Sequence, residues 1–225
     1  MKLLCMDSST KVLSLAVSDK ERILKVNHTP LEGFLSSTII PSIKKILKDS
    51  KVKLEELDGF AVGLGPGSFT SLRVGLSTIK GLAFVMKKPI VGISSLDVLA
   101  MALVQDGTIC VLTDARRNMV YAGIYEKKTG KLKQKVAYLL TPLADLFNHL
   151  KKESNVFFVG DAVELYKEHI QKYRQDFKVS DSKLNYPQAK FLVPLTLEKF
   201  KTKNFEGNEK IVPLYLYAQD CQVQK

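Results

Sequence analysis

The stretch Gly-Leu-Gly-Pro-Gly-Ser-Phe-Thr at residues 63–70 restricts the local fold more than any other part of this 225-residue sequence. An apolar run at residues 60–64 predicts a strand before it, and an apolar-periodic segment predicts a helix ending near Met86 after it. Glycine permits backbone conformations and close approaches that other residues resist. Either Ser68 or Thr70 can cap the helix. The pattern therefore predicts a strand, a tight turn and a helix held at one angle.

This glycine turn does not match the nucleotide-binding motifs. A P-loop requires Gly-Lys-Ser/Thr at its end, and the dinucleotide fingerprint is G-x-G-x-x-G, whereas the glycines here are spaced G-x-G-x-G. A helix N-terminus attracts anions, but Pro66 has no N–H to offer a phosphate. We therefore interpret the turn as a rigid connection that sets the angle of the helix, and not as a nucleotide-binding site of its own.

The helix that follows the turn has two apolar stripes when its residues are placed at 100° steps. The first stripe comprises Leu72, Leu76, Ile79, Ala83 and Met86, and the second comprises Val74, Leu82 and Val85. A helix that lies on its own sheet with its back to water needs only one apolar stripe. The second stripe can meet the preceding helix at residues 36–48, the other half of the chain, or another protein. Gly75 and Gly81 would let a neighbouring helix approach closely.

The preceding helix also carries surplus apolar residues, Phe34, Leu35 and Ile40, beyond its main face. Two adjacent helices with surplus apolar surface favour a protein interface. The predicted interface residues are Ser36, Ile39, Ile43, Leu72, Leu76, Ile79 and Ala83.

The periodicity of the first hundred residues predicts the order β-β-β-α-β-α-β-α, and the second half opens with a similar strand, acidic turn and hairpin. The second half continues with a predicted strand at residues 133–138 and predicted helices at 142–151, 163–173 and 189–201. We therefore expect two related α/β halves, residues 1–104 and 105–225, with the last residues able to pack back on the first half.

Composition narrows the class of protein. No apolar run reaches the ~18 residues needed to cross a bilayer, and the N-terminus lacks the features of a secretory signal, so we expect a cytoplasmic protein. Cys5, Cys110 and Cys221 are far apart and have no metal-ligand spacing, which fits a reducing compartment. The net charge of +11 either marks a surface for nucleic acid or reflects a lysine-rich exterior.

Several motifs together resemble the bacterial TsaB family, also called YeaZ. They are the turn Gly65-Pro66-Gly67-Ser68-Phe69-Thr70 with Arg73 and Gly75, the opening Asp7-Ser8-Ser9-Thr10, Ile39-Ile40-Pro41-Ser42-Ile43, Gly92-Ile93-Ser94-Ser95-Leu96, Asp114-Ala115-Arg116-Arg117 with Val120-Tyr121, and Val212-Pro213-Leu214-Tyr215-Leu216. The resemblance spans almost the whole chain. Two positions depart from the pattern: Leu35 stands where the family often has His, and Tyr217 stands where Arg usually ends the last motif.

The resemblance implies an actin-like ATPase fold (sugar kinase/heat-shock 70, RNase H-like), with two related α/β halves and a degenerate active site. In that superfamily the first acidic turn and a later glycine loop grip ATP. The resemblance further implies a scaffold for TsaD, which transfers a threonylcarbamoyl group to adenosine next to the tRNA anticodon. TsaE would bind this pair, and the chain would contact tRNA only through the complex. Without partners, the chain would form a homodimer. No intrinsic cofactor is implied, although ATP or ADP can lie at the interface with partners.

The residues themselves offer little for catalysis. The three histidines have no metal-binding spacing, and no Gly-x-Ser-x-Gly elbow is present. Asp7 and Asp114 each follow a strand and are weak candidates for a nucleotide–metal complex; turn formation through Asx hydrogen bonds is the favoured explanation of both. Arg116 can pair with Asp114 or meet a partner or a tRNA phosphate. Two alternatives remain: an ATP-dependent phosphotransferase or peptidase-type enzyme, and a direct tRNA-binding protein.

Overall fold

The computed structural model describes residues 1–175, 177–202 and 207–217. The chain forms two compact units: Met1–Val98 together with Pro187–Pro213, and Leu99–Tyr186 together with the described residues from Leu214 onward. This division differs from the expected boundary between residues 104 and 105. The first unit ends at Val98, and the segment Pro187–Pro213 that it includes carries a helix that packs on the first sheet.

The chain order of the elements is simple in the first half. The elements are β1 (Lys2–Asp7), β2 (Val12–Asp19), β3 (Arg22–Pro30), α1 (Leu35–Ser50), β4 (Gly59–Gly63), α2 (Phe69–Met86), β5 (Ile90–Ile93) and α3 (Ser95–Ala102). The second half continues with β6 (Gly107–Asp114), β7 (Met119–Lys128), β8 (Lys131–Gln134), β9 (Leu139–Pro142), α4 (Leu143–Leu150), β10 (Val156–Val159), α5 (Asp161–Leu165), α6 (Lys167–Tyr173), β11 (Lys178–Val179) and α7 (Leu192–Lys201). Short 3-10 turns lie at Leu54–Glu56, Ser182–Leu184 and Ala189–Phe191.

The first sheet has the strand order β3-β2-β1-β4-β5. β1, β4 and β5 are parallel, and β2 is antiparallel to both β1 and β3. Helices α1 and α2 cover one face of this sheet, and α7 covers the other. Because β3 and β4 point the same way and each is followed by a returning helix, α1 and α2 run in the same direction.

The second sheet repeats this arrangement. Read from β8, its order is β8-β7-β6-β10-β11, with β6, β10 and β11 parallel and β7 antiparallel to its neighbours. Each strand therefore has a counterpart in the first sheet, and only β9, which pairs with β7, is additional. Helices α4, α5 and α6 pack on one face of this sheet. The prediction of two related α/β halves is confirmed.

Several local features differ from the predictions. The strand expected at 133–138 is Lys131–Gln134, because the turn at Thr129 and Gly130 sets its register against β7. The helix expected at 163–173 is two helices that meet at Tyr166, whose φ of −111° is outside the helical range. Two strands were not predicted: β9, which lies between the strand expected at 133–138 and the helix expected at 142–151, and β11, whose two residues give no periodicity.

Within the described residues, no helix is long and apolar enough to cross a membrane, and no group of His, Cys, Asp and Glu is arranged to hold a metal ion. Cys5 and Cys110 are free and buried, and burial raises the pKa of both thiols. Cys221 lies outside the described residues.

Candidate functional site

Asp7, at the carboxyl end of β1, has a carboxylate that is fully engaged inside the first unit. Its Oδ1 accepts hydrogen bonds from the Ser9 backbone N–H at 2.9 Å and the Ser9 hydroxyl at 2.7 Å. Its Oδ2 accepts the Ser95 hydroxyl at 2.6 Å. The residue is 1% exposed. Burial raises the pKa of this carboxyl, while the hydrogen bonds from Ser95 and Ser9 and the charge of His28 oppose the rise.

The glycine turn is bonded to the same serines. The backbone N–H of Ser68 donates to the Ser9 carbonyl at 2.8 Å, and the N–H of Gly65 donates to the Ser95 hydroxyl at 3.1 Å. A Cβ at Gly67 would collide with the Ser9 carbonyl, so this position requires glycine. Ser68 takes the N-cap position of α2, although its side chain makes no capping bond to the helix backbone.

These contacts bear on the two interpretations of the turn. In the active relatives implied by the resemblance, the acidic turn and the glycine loop hold a phosphate. In this chain the hydroxyls of Ser9 and Ser95 already bind the Asp7 carboxylate, and the glycine turn lies directly on Ser9. The structure therefore supports the interpretation of Asp7 as a turn-forming residue. Both oxygens of its side chain accept hydrogen bonds within the first unit.

Asp114, the second weak candidate, is exposed and also forms a turn. Its Oδ1 accepts the backbone N–H of Arg116 at 2.8 Å, so the expected pairing is made by the backbone of Arg116. Its own N–H donates to Asp161 at 3.1 Å. Arg116, Arg117 and Asn118 all have positive φ, between 51° and 61°, which turns β6 sharply into β7.

Tyr217, which departs from the family pattern, is bound to this same hairpin. Its hydroxyl donates to the Ala115 carbonyl at 2.8 Å, and its ring meets that of Tyr121 edge-on at 6.1 Å. The pKa of Tyr121 is raised to about 12, mainly by burial. The tyrosine therefore keeps the C-terminal motif in contact with the Asp-Ala-Arg hairpin within the second unit.

The predicted interface residues require a correction. Ile39, Ile43, Leu72, Leu76, Ile79 and Ala83 are all at most 6% exposed. They cannot form a surface because they are the sides of α1 and α2 that pack on the first sheet. Ser36 is exposed, and Val74 and Leu82 of the second stripe are half-buried against the same core.

The apolar surface of α1 and α2 is formed by other residues. Phe34 is 84% exposed, Phe84 82%, Val85 75%, Phe69 53% and Ile40 39%. Phe84 was missed because the helical steps place it beside the polar residues of α2. A large apolar residue among polar neighbours on α2 could have indicated this exposed position. The outer face of α2 also includes Gly81, which has open space where a Cβ would lie.

Two further motif residues lie at the start of α2. The Arg73 guanidinium stacks over the Phe69 ring at 3.8 Å, one helical turn away, and both residues are exposed. Thr70 is exposed, and Gly75 is buried where a Cβ would collide with the Ser8 hydroxyl. Gly75 therefore packs against the acidic turn of the same chain and not against a partner.

Comparison with known proteins decides the family. The model of TsaD, tRNA N6-adenosine threonylcarbamoyltransferase, matches residues 34–225. The tRNA threonylcarbamoyladenosine biosynthesis protein TsaB of Bacillus subtilis is 34% identical over 173 residues, 76% of each chain. The chain belongs to the TsaB (YeaZ) family. TsaB of Haemophilus influenzae is 28% identical over 96% of this chain and 93% of its own length.

Solved structures show that the TsaB family fold extends to the whole chain. YeaZ from Pseudomonas aeruginosa covers 96% of this chain and 99% of its own, with a TM-score of 0.81 at 23% identity. Component A of the (R)-2-hydroxyglutaryl-CoA dehydratase of Acidaminococcus fermentans reaches a TM-score of 0.52 at 10% identity, covering 88% and 100%. Together with the matched sheet orders of the two units, these likenesses confirm the actin-like ATPase fold.

Proposed function

We propose that this protein is a non-catalytic subunit in the biosynthesis of threonylcarbamoyladenosine in tRNA. It would bind TsaD and, with TsaD, recruit TsaE in the cytoplasm. Relatives named for this pathway support the proposal, as does the similarity of the chain to the TsaD model. The occupied Asp7 carboxylate agrees with a subunit that has no phosphate chemistry of its own.

The observation that carries the proposal is the exposed apolar surface of α2. Phe84 and Val85 are more than 70% exposed side by side at the C-terminal end of a helix whose opposite face is in the core. A phenylalanine buries roughly 150–250 Å² when it is covered, so covering this pair supplies substantial binding energy. The same face is the surface we propose for pairing of two copies when TsaD is absent.

The interface test uses surface residues, because a charge at Leu76 or Ile79 would unfold the core. Phe84→Glu and Val85→Glu should abolish co-purification with TsaD, since a carboxylate buried without a partner costs several kcal/mol. Leu165→Glu is the matched control: Leu165 is 61% exposed on the second unit, so its complex should stay intact. A complex that survives both changes on α2 would place the interface elsewhere.

Reconstitution tests the function itself. This chain is mixed with TsaD, TsaE, threonylcarbamoyl-AMP and tRNA, and tRNA modification should stop when this chain is omitted. Micromolar binding of ATP–Mg by the chain alone, with turnover, would instead favour an enzyme. Tight tRNA binding by the chain alone, with a steep dependence on salt, would favour direct tRNA recognition.

A further inference from the structure

A cleft of about 560 Å³ opens on the helical side of the second unit, between α4 and α6. In the first unit, α1 and α2 are 16 and 18 residues long and share one core. In the second unit, α4 has 8 residues, and two short helices, α5 and α6 with 5 and 7 residues, take the place of α2. The volume is within the range of small-molecule sites, about 300–1,000 Å³.

An aromatic platform forms one wall of this cleft. The rings of Phe147 and Tyr173 stack at 4.5 Å with an interplanar angle of 15°. Phe147 is 6% exposed and anchored in the core, whereas Tyr173 is 57% exposed. Because Phe147 covers one face of the Tyr173 ring, the exposed area of Tyr173 is its other face and its edge. A fixed aromatic face open to solvent is a stacking surface for a planar ring.

Polar groups surround the platform. Asn148 and Gln175 contribute exposed amides, which can both donate and accept hydrogen bonds. Lys151 contributes an exposed ammonium group. The Arg174 guanidinium is fixed by hydrogen bonds to the carbonyls of Leu150 at 2.9 Å and Glu153 at 2.8 Å. Among the described residues that line the cleft there are two cations and no carboxylate.

This combination suits a ligand that is flat at one end and anionic at the other. We propose that the cleft binds one nucleotide, with its base stacked on Tyr173, its base edge met by Asn148 and Gln175, and its phosphate held by Lys151. Free mononucleotides and an unstacked nucleotide of an RNA share this chemistry. None of the described residues that line the cleft belongs to α1 or α2.

The test is titration of the full chain with AMP and, separately, with a single-stranded adenosine tetranucleotide, followed by calorimetry and by NMR shifts of the Asn148 and Gln175 amides. Tyr173→Ala should weaken binding at least about 5-fold, because stacking on one aromatic side chain contributes ~1–3 kcal/mol. Tyr173→Phe, which keeps the ring, should retain affinity. Lys151→Gln should weaken binding, and Lys172→Gln, an equal charge change outside the cleft lining, should not.

Each outcome bears on the proposal. Binding that depends on Tyr173 and Lys151 supports it, and a tetranucleotide affinity more than about tenfold above that of AMP, or ~1.4 kcal/mol, would assign the site to RNA. Comparable affinities would assign it to free mononucleotides. No binding of either ligand up to about 5 mM, or binding that Tyr173→Ala leaves unchanged, would overturn the proposal.

Discussion

Two glycines of α2, Gly75 and Gly81, provide a sharp test of which side of this helix meets a partner. A Cβ at Gly81 would have no heavy atom within 4 Å, so Gly81→Ala adds no clash in the isolated chain. Alanine is favoured over glycine in an exposed helix interior by ~1 kcal/mol. We therefore expect Gly81→Ala to raise the free energy of unfolding by about 1 kcal/mol, or Tm by roughly 2–4 °C.

Gly75→Ala is the matched control, because the same methyl group enters a filled space. Its Cβ would collide with the hydroxyl of Ser8 and lie 3.2 Å from the Met6 methyl. That hydroxyl donates to the Ser71 carbonyl at 3.1 Å, so it cannot move away without losing a bond. Overpacking costs ~1–3 kcal/mol, which exceeds the helical gain. Gly75→Ala should therefore destabilise the chain by up to about 2 kcal/mol.

The two substitutions separate stability from binding. If a partner helix lies against Gly81, the added methyl should weaken the complex with TsaD by ~1–3 kcal/mol, or about 5- to 150-fold, while the isolated chain becomes more stable. Urea denaturation of the isolated variants and calorimetric titration with TsaD measure the two effects. Equal stability changes in both variants would refute the packing argument. An unchanged TsaD affinity in Gly81→Ala would remove this position from the interface.

Three further predictions concern buried polar groups. Burial raises the pKa of Asp7 in the folded state above its ordinary value of 3.8, so the folded state binds the proton more tightly than the unfolded state does. The free energy of unfolding should therefore fall as the pH rises above 3.8. Asp7→Asn should remove this contribution to the pH dependence of the free energy of unfolding, measured by urea denaturation at about pH 4–7. Tyr217→Phe removes the hydrogen bond to Ala115 and should lower the free energy of unfolding by ~0.5–1.5 kcal/mol, measured in the same way. Lys127 is 5% exposed and donates to the carbonyls of Met101 and Leu103, so Lys127→Met should cost ~1–3 kcal/mol in thermal unfolding, whereas the exposed neighbour Lys128→Met should cost little.

The fold was largely predictable because its signals are local and repeated. The acidic turns at Asp7 and Asp114 each follow a buried strand, and the same strand order follows each of them. The position of α7 on the first sheet was harder to predict from the sequence, because it depends on contacts between residues that are distant in sequence. The bond from the Ala189 N–H to the Ser14 hydroxyl, at 2.8 Å, is one such contact.

Six of the seven residues predicted for a partner-binding face lie in the core of the first unit, and other residues form the exposed apolar surface of α1 and α2. Helical periodicity shows that α2 has apolar residues at several angles, but it does not show which angle faces the sheet. The face is fixed by the core that α1 and α2 share with the first sheet, against which Val74 and Leu82 are partly buried. The angle that remains open carries Phe84, which lies at helical spacing from Ser77 and Lys80 and was assigned to neither apolar stripe.

Gly75 and Gly81 have the same residue type and lie on one helix, yet only one of them contacts its own chain. The contact of Gly75 with Ser8 belongs to the network that also fills the Asp7 turn, so the helix is held by the elements that would otherwise surround a phosphate. Holding α2 rigidly from this side fixes the orientation of Gly81, Phe84 and Val85 on the opposite side. These contacts give the turn a structural role, because they would pre-organise the surface that we propose for TsaD and lower the entropy lost on binding.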